Sequence, residues 1–206
     1  MKMKKSNILL FIAGMLTASQ AFSYGIGQST YPMLEKQHML ATEITGITST
    51  GGGVGIQGRY TRKMNKQLVV DGGIGIGAGE RSNRVFAGAD WEIFPDYMNQ
   101  PRISVKTTLE NAKEFKKRRN ILTVAPTVSK GFSFWGNEAF PFVSLPFGVQ
   151  LISKTKQYET IANLNVGILG RLPIEALKKF TASAEATVGI KDSYTGVFLG
   201  LSYPLN

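Results

Sequence analysis

From Gly52 to the C-terminus, apolar and small or polar side chains alternate with a period of two, the signature of half-buried strands. In residues 194–203, Val197, Leu199, Leu201 and Tyr203 share one face, and Gly196, Phe198, Gly200 and Ser202 share the other. Phe180, Ala182, Ala184, Ala186, Val188 and Ile190 likewise oppose Thr181, Ser183, Glu185 and Thr187. Ala162, Leu164, Val166 and Ile168 oppose Asn163, Asn165 and Gly167, while Ile103, Val105 and Leu109 oppose Ser104, Lys106, Thr108 and Glu110. A helical period occurs only around Met33 to Ala41. The pattern predicts strands near 41–49, 53–63, 68–78, 84–94, 101–111, 120–131, 140–153, 159–171, 179–190 and 194–203. The first two could merge across the glycine run that follows Ser49, but a single-chain bacterial barrel takes an even number of strands. Ten is therefore expected, with eight as the alternative.

Alternation alone fits a soluble sandwich as well as a membrane barrel. Three features favour the barrel. Strand-length segments are separated by polar turns, at 64–67, 79–83 and 135–138. Aromatic residues gather near strand ends (Tyr60, Trp91, Phe94, Tyr97, Phe132, Phe134, Trp135, Phe140 and Tyr203), as in an interfacial girdle. The polar face carries Gln57, Arg59, Glu92, Lys106, Glu110 and Glu185, charges that a narrow lumen can pair internally. Pro126, Pro141 and Pro146 each remove a ladder donor and are expected at bulges or bends.

The N-terminus predicts export. Lys2, Lys4 and Lys5 precede an apolar run from Ile8 to Ala18, and small residues then allow cleavage after Ala21 or Ser23. That run rises only ~16 Å, too short for a ~30 Å hydrocarbon core. The expected organisation is a signal peptide at 1–23, an N-terminal segment at 24–40 serving as a plug or a periplasmic extension, and a barrel at 41–206. Cysteine is absent, so neither a disulfide framework nor a lipidated cysteine anchor is available. Loss of residues 1–23 removes three lysines and no acid from a formal charge of +10, leaving a basic chain suited to anionic lipid headgroups rather than nucleic acid.

A signal peptide followed by amphipathic meander strands resembles the small outer-membrane β-barrels of Gram-negative bacteria, the opacity-type and OmpW-like group, over roughly residues 40–206. The most specific part is the last strand, where Tyr194, Gly196, Leu199 and Leu201 fill the pattern of the family's assembly signal. The chain then ends Tyr203, Pro204, Leu205, Asn206 instead of on an aromatic residue. The resemblance implies an antiparallel up-and-down barrel in the outer membrane, delivered by the outer-membrane assembly machinery. Leu199 should then face acyl chains and Ser202 the lumen, so arginine is expected to be tolerated better at 202 than at 199.

Enzymatic chemistry finds little support. Residues 53–58, GVGIQG, match a dinucleotide fingerprint with Asp71 downstream, yet Val54, Ile56 and Tyr60 carry strand alternation through it where a helix would have to start. The glycines of 72–79 are better read as relief for curvature or for side chains opposite. His38 is the only histidine and precedes the confident strands, which excludes multi-histidine zinc sites and disfavours a hydrolase triad. Arg59, Glu92, Lys106, Glu110 and Glu185 could hold a carboxylate pair for glycoside hydrolysis, but lying on one face of several strands they read as a lumen ion network. No metal or cofactor is expected. Lys116, Lys117, Arg118 and Arg119 fall in the densest charge run, 113–120, expected as an extracellular loop able to meet lipopolysaccharide phosphates. The leading expectation is a non-enzymatic outer-membrane barrel with a structural or surface-interaction role and at most a narrow pore. The alternatives are a small channel for polar or hydrophobic solutes and a soluble periplasmic lipid-binding β-barrel.

Overall fold

A computed structural model describes residues 26–49, 53–77, 81–114, 117–134, 137–153 and 156–205. Twelve ladder segments follow one another: β1 (His38–Ile47), β2 (Gly53–Lys63), β3 (Leu68–Gly77), β4 (Arg81–Phe94), β5 (Arg102–Glu114), β6 (Lys117–Ser129), β7 (Phe132–Phe134), β8 (Asn137–Ser144), β9 (Phe147–Ile152), β10 (Gln157–Arg171), β11 (Thr181–Lys191) and β12 (Gly196–Leu205). Neighbours pair antiparallel in a meander, and β1 pairs with both β2 and β12, which closes the sheet.

The twelve segments make ten staves. Ser144 and Phe147 keep one register against Asn165 and Ala162 of β10, and another against Thr127 and Val124 of β6. The chain therefore runs straight through Leu145 and Pro146, and the ladder lapses there because Pro146 has no N–H. β7 likewise continues β6 along β8: Ser129 faces Phe142 and Phe132 faces Ala139 in the same register. Pro126, Pro141 and Pro146 still serve as acceptors, from the N–H groups of Leu145 (3.1 Å), Lys130 (3.2 Å) and Asn163 (2.8 Å). The bulges lie elsewhere, in β4 at Arg81/Asn83 and Glu92/Phe94 and in β10 at Ala162/Asn163.

The two-residue period determines what each face meets. Along β2, Gly53, Gly55, Gln57, Arg59, Thr61 and Lys63 are buried while Val54, Ile56 and Tyr60 are exposed. Elsewhere polar and charged side chains likewise point into the closed sheet, together with apolar ones such as Met39, Phe142 and Leu169, and Ile44, Ile74, Leu109, Ile168, Val188 and Leu199 point out. Among the described residues helix is confined to two short 3-10 turns, Gly27–Thr30 and Glu175–Leu177. Glycine permits close approach where the lumen is tight. A Cβ on Gly73 would stand 2.2 Å from the Gly58 carbonyl oxygen and 2.6 Å from the Phe86 ring.

The rim that carries His38 and Leu205 has the longer connections, at 95–101 and 172–180, and the overhanging β7–β8 hairpin. The opposite rim holds the ends of β1, β3, β5, β9 and β11 and the starts of the strands that follow them. This corrects the expectation of a basic loop between the fifth and sixth strands. The sheet extends to Glu114 and resumes at Lys117, so Lys117, Arg118 and Arg119 are strand residues, while Lys116 lies outside the described residues. Propensity missed this because a charge run reads as solvated chain, whereas the hairpin ladder carries the pairing to Glu114 and Lys117. The overhang on the terminal rim is tied down by Lys130. Its ammonium donates to the Asp96 carboxylate and to the carbonyls of Met98 (2.5 Å) and Gln100 (3.3 Å), and Asp96 also accepts the Gly131 N–H at 2.6 Å.

Candidate functional site

The distinctive chemistry lies inside the barrel. Inward positions on β1 to β5 bring Glu43, Gln57, Arg59, Asp71, Arg84, Lys106 and Glu110 together, all buried. Arg59 donates from Nε to Glu43 Oε1 (2.8 Å), from Nη2 to Glu43 Oε2 (3.2 Å) and from Nη1 to Asp71. Lys106 donates to Asp71 Oδ2 at 2.7 Å. Arg84 donates to Glu110 Oε2 (2.8 Å) and to Gln57 Oε1 (3.0 Å), and Gln57 donates in turn to Glu43. The Phe86 ring lies between the Arg59 and Arg84 guanidinium groups, 4.6 and 4.8 Å from its centroid. Each cation thus meets a carboxylate or a π-face, the condition under which burial of charge is tolerable.

The N-terminal segment enters this network. Ile26 donates its N–H to Glu185 Oε2 (2.9 Å) and Oε1 (3.2 Å), and its carbonyl accepts from Lys106 Nζ at 2.7 Å. Gly27 follows at φ 69°, with Arg59 Cζ only 2.6 Å from where a Cβ would stand. Ser29, Thr30, Tyr31 and Met33 are buried. Ile26, Tyr31, Met33 and Met39 form an apolar cluster with Val69, Ala125, Phe142 and Leu169 inside the barrel. Tyr31 packs edge-on against Phe140 at 5.7 Å and accepts a hydrogen bond from Arg171 Nε at 3.2 Å. Reciprocal bonds Lys36 N–H to Lys63 O and Lys63 N–H to Gln37 O, both 3.0 Å, fix the exit of the segment along β2. A void of about 20 Å³ between Ile26, Arg59, Arg84 and Phe86 has room for roughly one water, and larger cavities of about 240 and 300 Å³ lie nearer the rim, beside Ser29 and Thr30 and between Tyr31 and Arg171.

The residues singled out in the sequence divide among several environments. Arg59 and Lys106 share Asp71, Glu110 pairs with Arg84, and Glu185 holds the N-terminal segment. Glu92 stands apart near the terminal rim, where Arg102 Nε donates to it at 2.7 Å. The three carboxylates thus have different partners: Arg84 for Glu110, Arg102 for Glu92 and the Ile26 N–H for Glu185. Glu43, Asp71 and Arg84 were missed, although their inward parity was legible. GVGIQG runs straight through β2, and Asp71 binds Arg59, which disposes of the dinucleotide reading. His38 opens β1 with Nδ1 against the Tyr60 hydroxyl. Tyr194 precedes β12, Gly196 faces inward against the Gly46 carbonyl, and Leu199 and Leu201 face outward.

Strand alternation splits the basic run. Arg119 donates inward to Gln150 Oε1 at 3.0 Å. Arg118 is exposed and sits directly across from Lys113 of β5. Next in the same column Asn111 donates to Asn120 at 2.5 Å, and then Leu109 faces Leu122. These residues and Val149, Leu151 and Tyr158 line an external groove of about 460 Å³.

No protein-family model matches the chain, and no curated protein does. Among solved structures it is similar to a de novo designed transmembrane β-barrel at 15% identity and a TM-score of 0.43, covering 84% of this chain and 98% of that one. It is also similar to the N-terminal β-barrel domain of Pseudomonas aeruginosa OprF (10% identity, TM-score 0.33, 83% and 98% covered). Acinetobacter baumannii OccAB2 follows at 8% identity and a TM-score of 0.30, covering 91% and 72%. Likeness at this distance carries neither family nor role.

Proposed function

We propose that this chain is an integral outer-membrane β-barrel, non-enzymatic and without a cofactor, whose side-chain-filled lumen leaves at most a narrow pore and gives it a structural or anchoring role rather than that of a conduit. The observation that carries this reading is the combination of an apolar exterior with an interior filled by ion pairs and by the chain's own residues 26–33. A soluble lipid carrier requires the opposite polarity, an apolar cavity inside a polar surface. In a bilayer the closed ladder leaves no unpaired edge, the condition for a sheet to sit in hydrocarbon. The processed protein should sediment with outer membrane and need detergent for release. In planar bilayers it should give no sustained open-channel current. Recovery in the soluble periplasmic fraction would promote the carrier, and large stable currents would promote the channel.

The anionic partner best suited to the exterior is lipopolysaccharide. Lys113 and Arg118 form an outward cation pair at the rim opposite the termini, and the groove lined by Leu109, Leu122 and Leu151 continues from it on the apolar face. An acyl chain fits the groove while a phosphate meets the cations, where a guanidinium can make a two-point contact. This moves the contact from the predicted run Lys116 to Arg119 to a cross-strand pair. Lys113→Gln with Arg118→Gln should weaken lipopolysaccharide retention at low salt and leave the barrel folded. Unchanged retention would remove the assignment. Delivery would depend on the assembly machinery reading β12.

A further inference from the structure

The rim that carries His38 and Leu205 holds a second group of cations, outside the buried network. Arg171 stands across from Thr181 in the β10–β11 ladder, and Pro204 across from Met39 in the β1–β12 seam. These four residues, with Tyr31 and Gln37, line a cavity of about 300 Å³, and Lys178 and Lys179 of the 172–180 connection join them there. No carboxylate lines it. Lys178 is already engaged by Glu175 at 2.8 Å, whereas Arg171 and Lys179 have no ion-pair partner among the described residues. The Glu138 carboxylate attracts Arg171 from the adjoining outer groove, beyond ion-pair distance.

The donors of this cavity are oriented by their other contacts. Tyr31, packed edge-on against Phe140, accepts from Arg171 Nε at 3.2 Å, which leaves the two Nη groups of the guanidinium for a ligand. Gln37 Oε1 accepts the Leu34 N–H at 2.8 Å, so the end of that amide left over is the donor Nε2. Guanidinium, ammonium and amide NH2 offer donors only, which selects an anion. A carboxylate brings two oxygens and one charge. A phosphate monoester brings three terminal oxygens and a charge of about −1.5 to −2, which can meet a guanidinium fork and an ammonium together. Met39, Tyr203 and Pro204 give the cavity an apolar side, and its volume is at the lower end of small-molecule sites. We propose that this cavity binds a phosphate monoester carrying a group about the size of glycerol, with Arg171 on two of the phosphate oxygens and Lys179 on the third. The ester is either dissolved or the head of a membrane lipid. In the outer-membrane reading Phe180 and Tyr203, ring centroids 5.3 Å apart, stand at girdle depth, where a lipid head reaches the cavity; the site itself does not depend on that reading.

The test uses the full chain purified in a maltoside detergent, which carries no phosphate. Titration calorimetry with glycerol 3-phosphate should show saturable binding that glycerol and acetate do not reproduce. Arg171→Gln and Lys179→Gln should each weaken it about tenfold, the loss of one charge-assisted hydrogen bond. Lys66→Gln, which removes an exposed cation of the same rim outside the cavity, should leave it unchanged. Should Arg171→Gln fail to fold, Arg171→Lys keeps the charge without the fork, and Tyr31→Phe keeps the ring without the acceptor that orients Nε; both should still weaken binding several-fold. In a second arm, micelles doped with phosphatidic acid offer the same head on a lipid. Saturation by the dissolved ester identifies a soluble ligand, and saturation by phosphatidic acid alone, lost in Arg171→Gln, identifies a lipid head; either result supports the site. Binding of neither, acetate binding as tightly as the ester, or affinity unchanged in both Arg171→Gln and Lys179→Gln would overturn the proposal and leave the barrel reading intact.

Discussion

At the scale of single residues, charge in this protein lies where a soluble protein would put leucine. Arg59 shows the consequence most sharply: it satisfies two carboxylates, packs against Phe86 and crowds Gly27. Arg59→Ala removes the ion-pair partner of Glu43 and one of the two cations on Asp71, and removal of one partner of a buried pair costs about 3–5 kcal/mol. Guanidinium unfolding in detergent should register that loss, whereas Lys178→Ala, at an exposed position beside Glu175, should stay within about 0.5 kcal/mol. Gly27→Ala should also destabilise, since it meets positive φ and the guanidinium together. Leu199 is exposed on the outer face, and arginine there should cost about 2–4 kcal/mol in a bilayer. The expectation that Ser202→Arg would be the mild counterpart needs revision. Ser202 is wholly buried and donates to the Thr181 carbonyl at 3.1 Å, so arginine would overpack the lumen at a cost of about 1–3 kcal/mol.

At the scale of elements, the clamp between the 95–101 connection and the β7–β8 hairpin should respond to acid. Asp96 is held below its ordinary value of 3.8: slight desolvation opposes the charge, but the Lys130 ammonium and the Gly131 N–H outweigh it. A carboxylate depressed by folding contributes stability that is complete above its unfolded value and lost as pH falls through the lower folded one. Protection of the Gly131 N–H should therefore persist at about pH 4 and disappear only under stronger acid, and Asp96→Asn should remove it at neutral pH. Hydrogen exchange at Gly131 measures both. The strands themselves were largely legible, because parity in residues such as Val197, Leu199 and Leu201 repeats without interruption. Their ends were less so: β1 begins at His38 rather than 41, and β6 at Lys117 rather than 120. In both cases cross-strand pairing, with Leu205 and Glu114, carries the ladder past residues of weak strand propensity. The division of Arg118 from Arg119 followed once that strand start was known. The partnership of Glu185 with Ile26 spans 159 positions and left no local pattern to find.

At the scale of the whole molecule, the seam between β1 and β12 joins His38 to Leu205 and Ile47 to Gly196. Until that seam forms, the sheet has two long unpaired edges beside an apolar face, the arrangement most prone to pair with another chain. Closure brings together positions far apart in sequence, which makes it intrinsically slow. A barrel shortened by its last stave is therefore no smaller barrel but an open sheet. Truncation before Gly196 should yield aggregates in detergent refolding where the full chain gives a monodisperse, protease-resistant product. Since β12 follows the other staves along the chain, the preceding nine are made before the strand that closes them. Over that interval their edges stay open to any other strand, and pairing of the 10-residue β12 is the event that ends the exposure.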